Sequence, residues 1–204
     1  MIYIDTNIDG FDLARALAAV GPGRREYALR YRQERDRRLC VAASLLLQHA
    51  LQVEGYAVPH PLPPFIPDRR GKPHLSGFPD VHFSLSHCSV AVACALSDGP
   101  VGVDIETMDH YSPEVAAHVM NDEEMRQITA SPDPARTFTR LWTMKESLYK
   151  LTGDGCGCGD PKHLLRDTSR VRFQSWDSAR YVVSACRHLH ADALDAGLEL
   201  VTVP

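Results

Sequence analysis

Asp104 and Glu106 stand two residues apart in the run Val101-Gly102-Val103-Asp104-Ile105-Glu106, and their carboxylates are the first sign of chemistry in this chain. The alternation predicts a strand with Val101, Val103 and Ile105 on one face and both acids on the other. Residues i and i+2 of a strand lie roughly 7 Å apart at their Cα atoms. Like charges held that close need something positive between them. Oxygen-only ligands favour a hard cation, magnesium or manganese, over zinc. A polar strand face at a sheet edge gives the same pattern.

A second cluster falls in residues 134–151. Trp142, Lys145, Glu146, Tyr149 and Lys150 are spaced i, i+3, i+4, i+7 and i+8, which puts them on one helix face. Glu146 on that face is a candidate third carboxylate, and Lys150 a candidate phosphate contact. The bland alternative is an ion-paired helix at a domain edge, with long side chains covering apolar surface. The third cluster is Phe83-Ser84-Leu85-Ser86-His87-Cys88. Ser86 and His87 end an alternating run, where a hydroxyl and an imidazole together fit a phosphate. As neighbours on an extended chain they point to opposite faces, which disfavours them as a nucleophile–base pair.

These groups must be positioned by the elements around them. Residues 2–4 read as a short strand, and Leu39, Ala42, Ala43, Leu46, Ala50 and Val53 recur at helical spacing over 34–53. Gly55 ends that helix. The five prolines of 59–67 require an extended or looped segment. Residues 68–73 read as a turn that presents Lys72. Strands are expected at 81–86, 90–96 and 101–106. A helix begins at Ser112-Pro113, with serine as cap and proline at the first helical position. Another opens at Asn121, where Asp122, Glu123 and Glu124 suit the positive end of the dipole. The helix of 134–151 stops at Gly153, and strands close the chain at 171–176, 181–186 and 198–203. Each half thus offers a helix followed by strands.

Composition places these elements in a globular protein with a core, 44% of residues being hydrophobic. No apolar run is long enough for a membrane helix, and residues 1–5 lack the features of a signal peptide. The expected location is the cytoplasm. There Cys40, Cys88, Cys94, Cys156, Cys158 and Cys186 stay reduced, and the spacing of Cys156 and Cys158 is unlike a zinc site. Net charge is −4, which points to no nucleic acid. Residues 24–38 nevertheless carry seven arginines against Glu26, Glu34 and Asp36. A concentrated guanidinium cluster suits phosphate or an acidic partner; a solvated helix face with internal ion pairs would look similar.

Taken in order, Gly71-Lys72-Pro73, Phe83-Ser84-Leu85-Ser86-His87, Gly102-Val103-Asp104-Ile105-Glu106 and Trp142-Thr143-Met144-Lys145-Glu146-Ser147-Leu148-Tyr149-Lys150 resemble the signature of the 4′-phosphopantetheinyl transferases. The resemblance is to the larger, surfactin-synthetase-activating type, and it covers about residues 70–153. It implies an α+β fold of two similar halves related by a pseudo-two-fold, here 1–101 and 102–204. It also implies transfer of the 4′-phosphopantetheine arm of coenzyme A to a serine of an acyl, polyketide or peptidyl carrier protein, with release of 3′,5′-ADP. By that likeness Asp104, Glu106 and Glu146 hold magnesium, and Glu146 is a candidate base. Lys150 faces the departing phosphate, and Lys72, Ser86, His87 and Lys145 contact coenzyme A phosphates. Arg24, Arg25 and Arg38 are the nearest candidates for its 3′-phosphate. A monomer is expected from the family alone. The glycine-rich loop at 153–159 departs from the usual continuation through its two cysteines and the following Asp160-Pro161.

Two other readings use the same residues. A magnesium-dependent hydrolase of a nucleotide or pyrophosphate would put water in place of the carrier serine. A binding protein without turnover would have no chemical need for Glu146. An apolar patch beside the acids, with Val115, Val119 and Met120 as members, would favour the transferase because a carrier helix must dock.

Overall fold

The computed structural model describes residues 1–153, 160–189 and 197–203, a mixed α+β arrangement. The glycine-rich loop around Cys156 and Cys158 lies outside the described residues. Strands β1 (Ile2–Asp5), β4 (His82–Cys88), β5 (Ala91–Ser97) and β9 (Leu200–Val203) form one sheet in the order β4-β5-β1-β9, with β9 parallel to β1 and the other pairs antiparallel. A second sheet has the order β6-β8-β7, from β6 (Val101–Glu106), β8 (Val182–His188) and β7 (Val171–Asp177).

Alternation along β5 shows how the layers are built. Val92, Cys94 and Leu96 face the long helix α3 (Glu34–Val53), where they meet Leu39, Leu46 and Leu47. Ala91, Ala93 and Ala95 face the other sheet, where they meet Val101, Val103, Ile105, Val183 and Ala185. Small residues on one side and branched ones on the other let two sheets and a helix pack around a single strand. On the far side of the second sheet lies α6 (Pro134–Thr152), capped by Asp133 and ended by Gly153 in the left-handed conformation, φ 73°. A side chain would be strained there.

The chain order β1-α3-β4-β5 recurs as β6-α6-β7-β8, with strand orders β4-β5-β1 and β7-β8-β6. The expected helices at Ser112 and Asn121 are α4 (Pro113–Val119) and α5 (Asp122–Ala130). Asn121 and Glu124 satisfy each other's backbone amides in a capping box. Two helices lie where the sequence reading names no element: α1 (Leu13–Ala19), capped by Asp12, and α2 (Pro22–Leu29), opened by proline after Gly21. α1 is only seven residues long and α2 is mostly polar, so periodicity alone does not raise them above loop. The expected turn at 68–73 joins β2 (Phe65–Pro67) to β3 (Pro73–Leu75). Among the described residues, Cys40, Cys88, Cys94 and Cys186 are buried free thiols, and no helix is long and apolar enough to cross a membrane.

Candidate active site

Strand β6 runs beside β4, but the contact between them is made by side chains. Ser84 Oγ accepts from the amide of Val103 at 3.1 Å, and Ser86 Oγ from that of Ile105 at 3.4 Å. Two serine hydroxyls thus join the sheets where backbone pairing stops. The face of β6 opposite its apolar side carries Gly102, Asp104 and Glu106 toward α6. A Cβ on Gly102 would sit 1.9 Å from the carbonyl oxygen of Ser147. Glycine therefore sets how closely the helix approaches the strand.

That approach assembles a cleft lined by Ser86, His87, Asp104, Glu106, Trp142, Glu146 and Lys150. Lys150 Nζ lies 2.6 Å from Asp104 Oδ1 and 2.8 Å from Ser86 Oγ, and Ser86 Oγ donates to the same Asp104 oxygen at 2.7 Å. Asp104 is 3% exposed, and its Oδ2 is buried with no hydrogen-bond partner among the described residues. Burial, then the Asp104 charge, pushes the Glu106 carboxyl up to about 7. Glu146 is raised by the same two causes in the same order. Lys150 opposes both shifts without cancelling them. The cleft therefore holds more negative charge than its own cation neutralises.

Among the described residues, no three His, Cys, Asp or Glu side chains are gathered closely enough to close a metal site by themselves. The donor chemistry nevertheless fits a hard divalent cation. The carboxylates are all oxygen donors, one buried oxygen is unsatisfied, and such ions commonly complete their shell with water and phosphate oxygens.

The family model of the 4′-phosphopantetheinyl transferase superfamily matches residues 100–199, a span containing Asp104, Glu106, Glu146 and Lys150. A "4'-phosphopantetheinyl transferase" of Bacillus subtilis is 29% identical over 156 residues, 76% of this chain and 69% of the relative. "4'-phosphopantetheinyl transferase psf-1" of Bacillus pumilus is 33% identical over 138 residues, 67% of this chain and 59% of the relative. The chain belongs to the 4′-phosphopantetheinyl transferase superfamily.

In this member of the superfamily, a second cleft adjoins the first through Leu85 and is lined by Arg24, Tyr27, Arg30, Phe65, Gly71 and Pro73. Arg24 is stacked over the Tyr27 and Phe65 rings, 5.1 Å from each centroid. Its guanidinium also donates to Ser44 Oγ at 2.6 Å and to the Cys40 carbonyl at 3.2 Å. Arg24 and Lys150 together reduce the basicity of His87, after desolvation as the leading cause. Tyr27, Arg30 and Phe65 were not sequence candidates. Aromatic residues beside arginines were the available signal, but their convergence depends on α2 meeting β2.

Four candidates, Arg38, Lys145, Lys72 and Arg25, line neither of these two clefts. Arg38 donates to Glu34 at 3.0 Å and to the Phe11 carbonyl at 2.8 Å, and stacks on the Phe11 ring. Lys145, expected near phosphate, is 0% exposed, and its ammonium donates to Glu124 Oε2 at 2.6 Å and to the carbonyls of Val119 and Pro161, each at 2.9 Å. All three of its protons are used inside the protein. Lys72 Nζ donates to the carbonyls of Val101 at 2.8 Å and Leu151 at 3.3 Å. Arg25 is exposed on α2. Of the expected apolar patch, Val115 is 45% exposed, whereas Met120 is buried against Ile128 and Phe138.

Proposed function

We propose that this protein transfers the 4′-phosphopantetheine arm of coenzyme A to a serine of an acyl, polyketide or peptidyl carrier protein, releasing 3′,5′-ADP. The observation that carries this reading is the joint position of Asp104, Glu106, Glu146 and Lys150 in one cleft beside Ser86 and His87. Asp104, Glu106 and Glu146 would hold magnesium, or manganese. When bound, that ion neutralises pyrophosphate charge and polarises the phosphorus.

The protein's own groups do the rest. Ser86, His87 and the guanidinium of Arg24 line the route on which the phosphates would lie, with Arg25 nearby on α2. The carrier serine Oγ attacks the phosphorus of the pantetheine phosphate while the bond from that phosphorus to the ADP oxygen breaks. Glu146, its carboxylate made more basic by burial and by Asp104, takes the serine proton. A base whose pKa is moved toward neutrality suits that task. Lys150 supplies positive charge, and a proton if needed, to the departing phosphate oxygen. Positioning and charge neutralisation then provide most of the rate.

The matching strand orders of the two sheets support a division into 1–101 and 102–204 related by a pseudo-two-fold. On that division the cleft of Asp104 draws residues from both halves, whereas the cleft of Arg24 is lined from the first half alone. The cytoplasm and a monomeric state complete the proposal.

Mass spectrometry of an apo carrier protein incubated with this protein, coenzyme A and magnesium tests the reading. A carrier heavier by one phosphopantetheine arm, and unmodified when EDTA is present, is the expected result. Coenzyme A consumed with the carrier unmodified would replace the transferase by a hydrolase. Bound but unconsumed coenzyme A across several carriers would leave a binding protein.

A further inference from the structure

The β2–β3 hairpin ends in a turn held by one carboxylate. Asp68 Oδ1 accepts from the amides of Arg70 at 2.8 Å and Lys72 at 2.9 Å, and the Asp68 amide donates to the Lys72 carbonyl at 2.9 Å. From this turn two cations reach the end of α6. Arg70 Nη1 donates to the carbonyl of Thr152 at 2.9 Å. Lys72 Nζ donates to the carbonyl of Leu151 and, in the same fork, to that of Val101 at the start of β6.

The last carbonyls of a helix lack intrahelical partners and carry the negative end of its dipole. Two basic groups there answer both needs. Lys72 does more, because its second acceptor belongs to the strand that bears Asp104. One ammonium therefore fixes the helix of Glu146 and Lys150 against the strand of Asp104 and Glu106. The Gly153 Cα direction points at the same hairpin, where a Cβ would lie 3.2 Å from Arg70 Cβ and 3.6 Å from Lys72 Cβ.

We infer that Arg70 and Lys72 are positioning residues, a clamp from the hairpin that holds the C-terminal end of α6 in register with β6 so that Glu146 and Lys150 face Asp104. The inference rests on the transferase reading for its kinetic consequence but not for its structural one. It gives Lys72 a different task from the phosphate contact that the family likeness implies. Desolvation among these carbonyls lowers the Lys72 pKa, consistent with an ammonium held between protein groups rather than in solvent.

The test uses Lys72→Met, Lys72→Arg and Arg70→Ala in the full chain. In the absence of coenzyme A, amide hydrogen exchange over residues 146–153 should quicken about tenfold in Lys72→Met and Arg70→Ala, with α3 unchanged. In carrier modification, kcat should fall by up to about 100-fold, the scale of an ångström-level misplacement of reacting groups. KM for coenzyme A should stay within about threefold of the parent, and Lys72→Arg should recover part of kcat. Unchanged exchange at 146–153 would overturn the clamp. So would a raised KM with kcat intact, which would return Lys72 to phosphate binding. Arg70 is exposed, so its variant retains the fold and judges the clamp if Lys72→Met does not fold. If the parent modifies no carrier, the transferase reading fails while the exchange result still decides the clamp.

Discussion

Lys150 and Asp104, 46 residues apart in the chain, meet at 2.6 Å, with the aspartate 3% exposed and its second oxygen unsatisfied. The pair is incomplete on one side: the ammonium engages Oδ1, and Oδ2 has no partner among the described residues. A carboxylate held this way stabilises the fold only while a cation stays on it.

Lys150→Met should therefore destabilise the metal-free protein by about 1–3 kcal/mol, less than for a fully buried pair because the lysine side chain is 31% exposed. Magnesium should raise the melting temperature of this variant more than that of the parent, because the cation restores the missing charge. Thermal scans with and without magnesium measure the difference. Equal shifts would mean that the ammonium and the metal do not share Asp104.

Glu106 gives a pH dependence. Its folded-state carboxyl is pushed up to about 7 from 4.5 by burial and by Asp104. Between those values the folded protein binds more protons than the unfolded chain, so this group's contribution to stability declines as pH rises from 4.5 to about 7. Magnesium binding competes with that proton. Affinity for the ion alone should rise through neutral pH, with proton release detectable when calorimetry is repeated in buffers of different ionisation heat. A pH-independent affinity would take Glu106 out of the metal site.

Lys145→Met removes the partner of buried Glu124 and should cost about 3–5 kcal/mol. Adding Glu124→Gln should recover part of that loss, because no uncompensated charge remains. Denaturant unfolding of the single and double variants gives the coupling. Where enough folded protein survives, KM for coenzyme A should be unaltered; a large rise in KM would restore Lys145 as a phosphate contact.

Gly102→Ala places a methyl group 1.9 Å from the Ser147 carbonyl oxygen. Helix and strand must separate, at a cost of about 1–3 kcal/mol or more for overpacking. Transfer should fall further than stability, since Asp104 and Glu146 lie on the two surfaces being pushed apart. A Gly102→Ala variant with parental activity would show that the cleft tolerates that displacement.

The alternation of 101–106 determined that Asp104 and Glu106 share a face, and the strand was read with the bounds that the structure has. The caps at Ser112, Asn121 and Gly153 were equally local and equally legible, because a cap is decided within four residues. The order of the four motifs carried the family likeness. What the sequence did not decide was the fate of the two lysines of α6. Lys145 and Lys150 are five residues apart, which places them about 140° apart around the helix, so the single face read for residues 142–150 does not hold for both lysines. Both have the long apolar stems that allow either burial or exposure. Only the packing of α5 brings Glu124 to Lys145, and only the close approach of α6 to β6 brings Lys150 to Asp104. Local spacing fixes the direction of a side chain relative to its own helix, whereas its charge partner comes from segments distant in sequence. That is why one lysine is locked in the core and the other stands in the cleft.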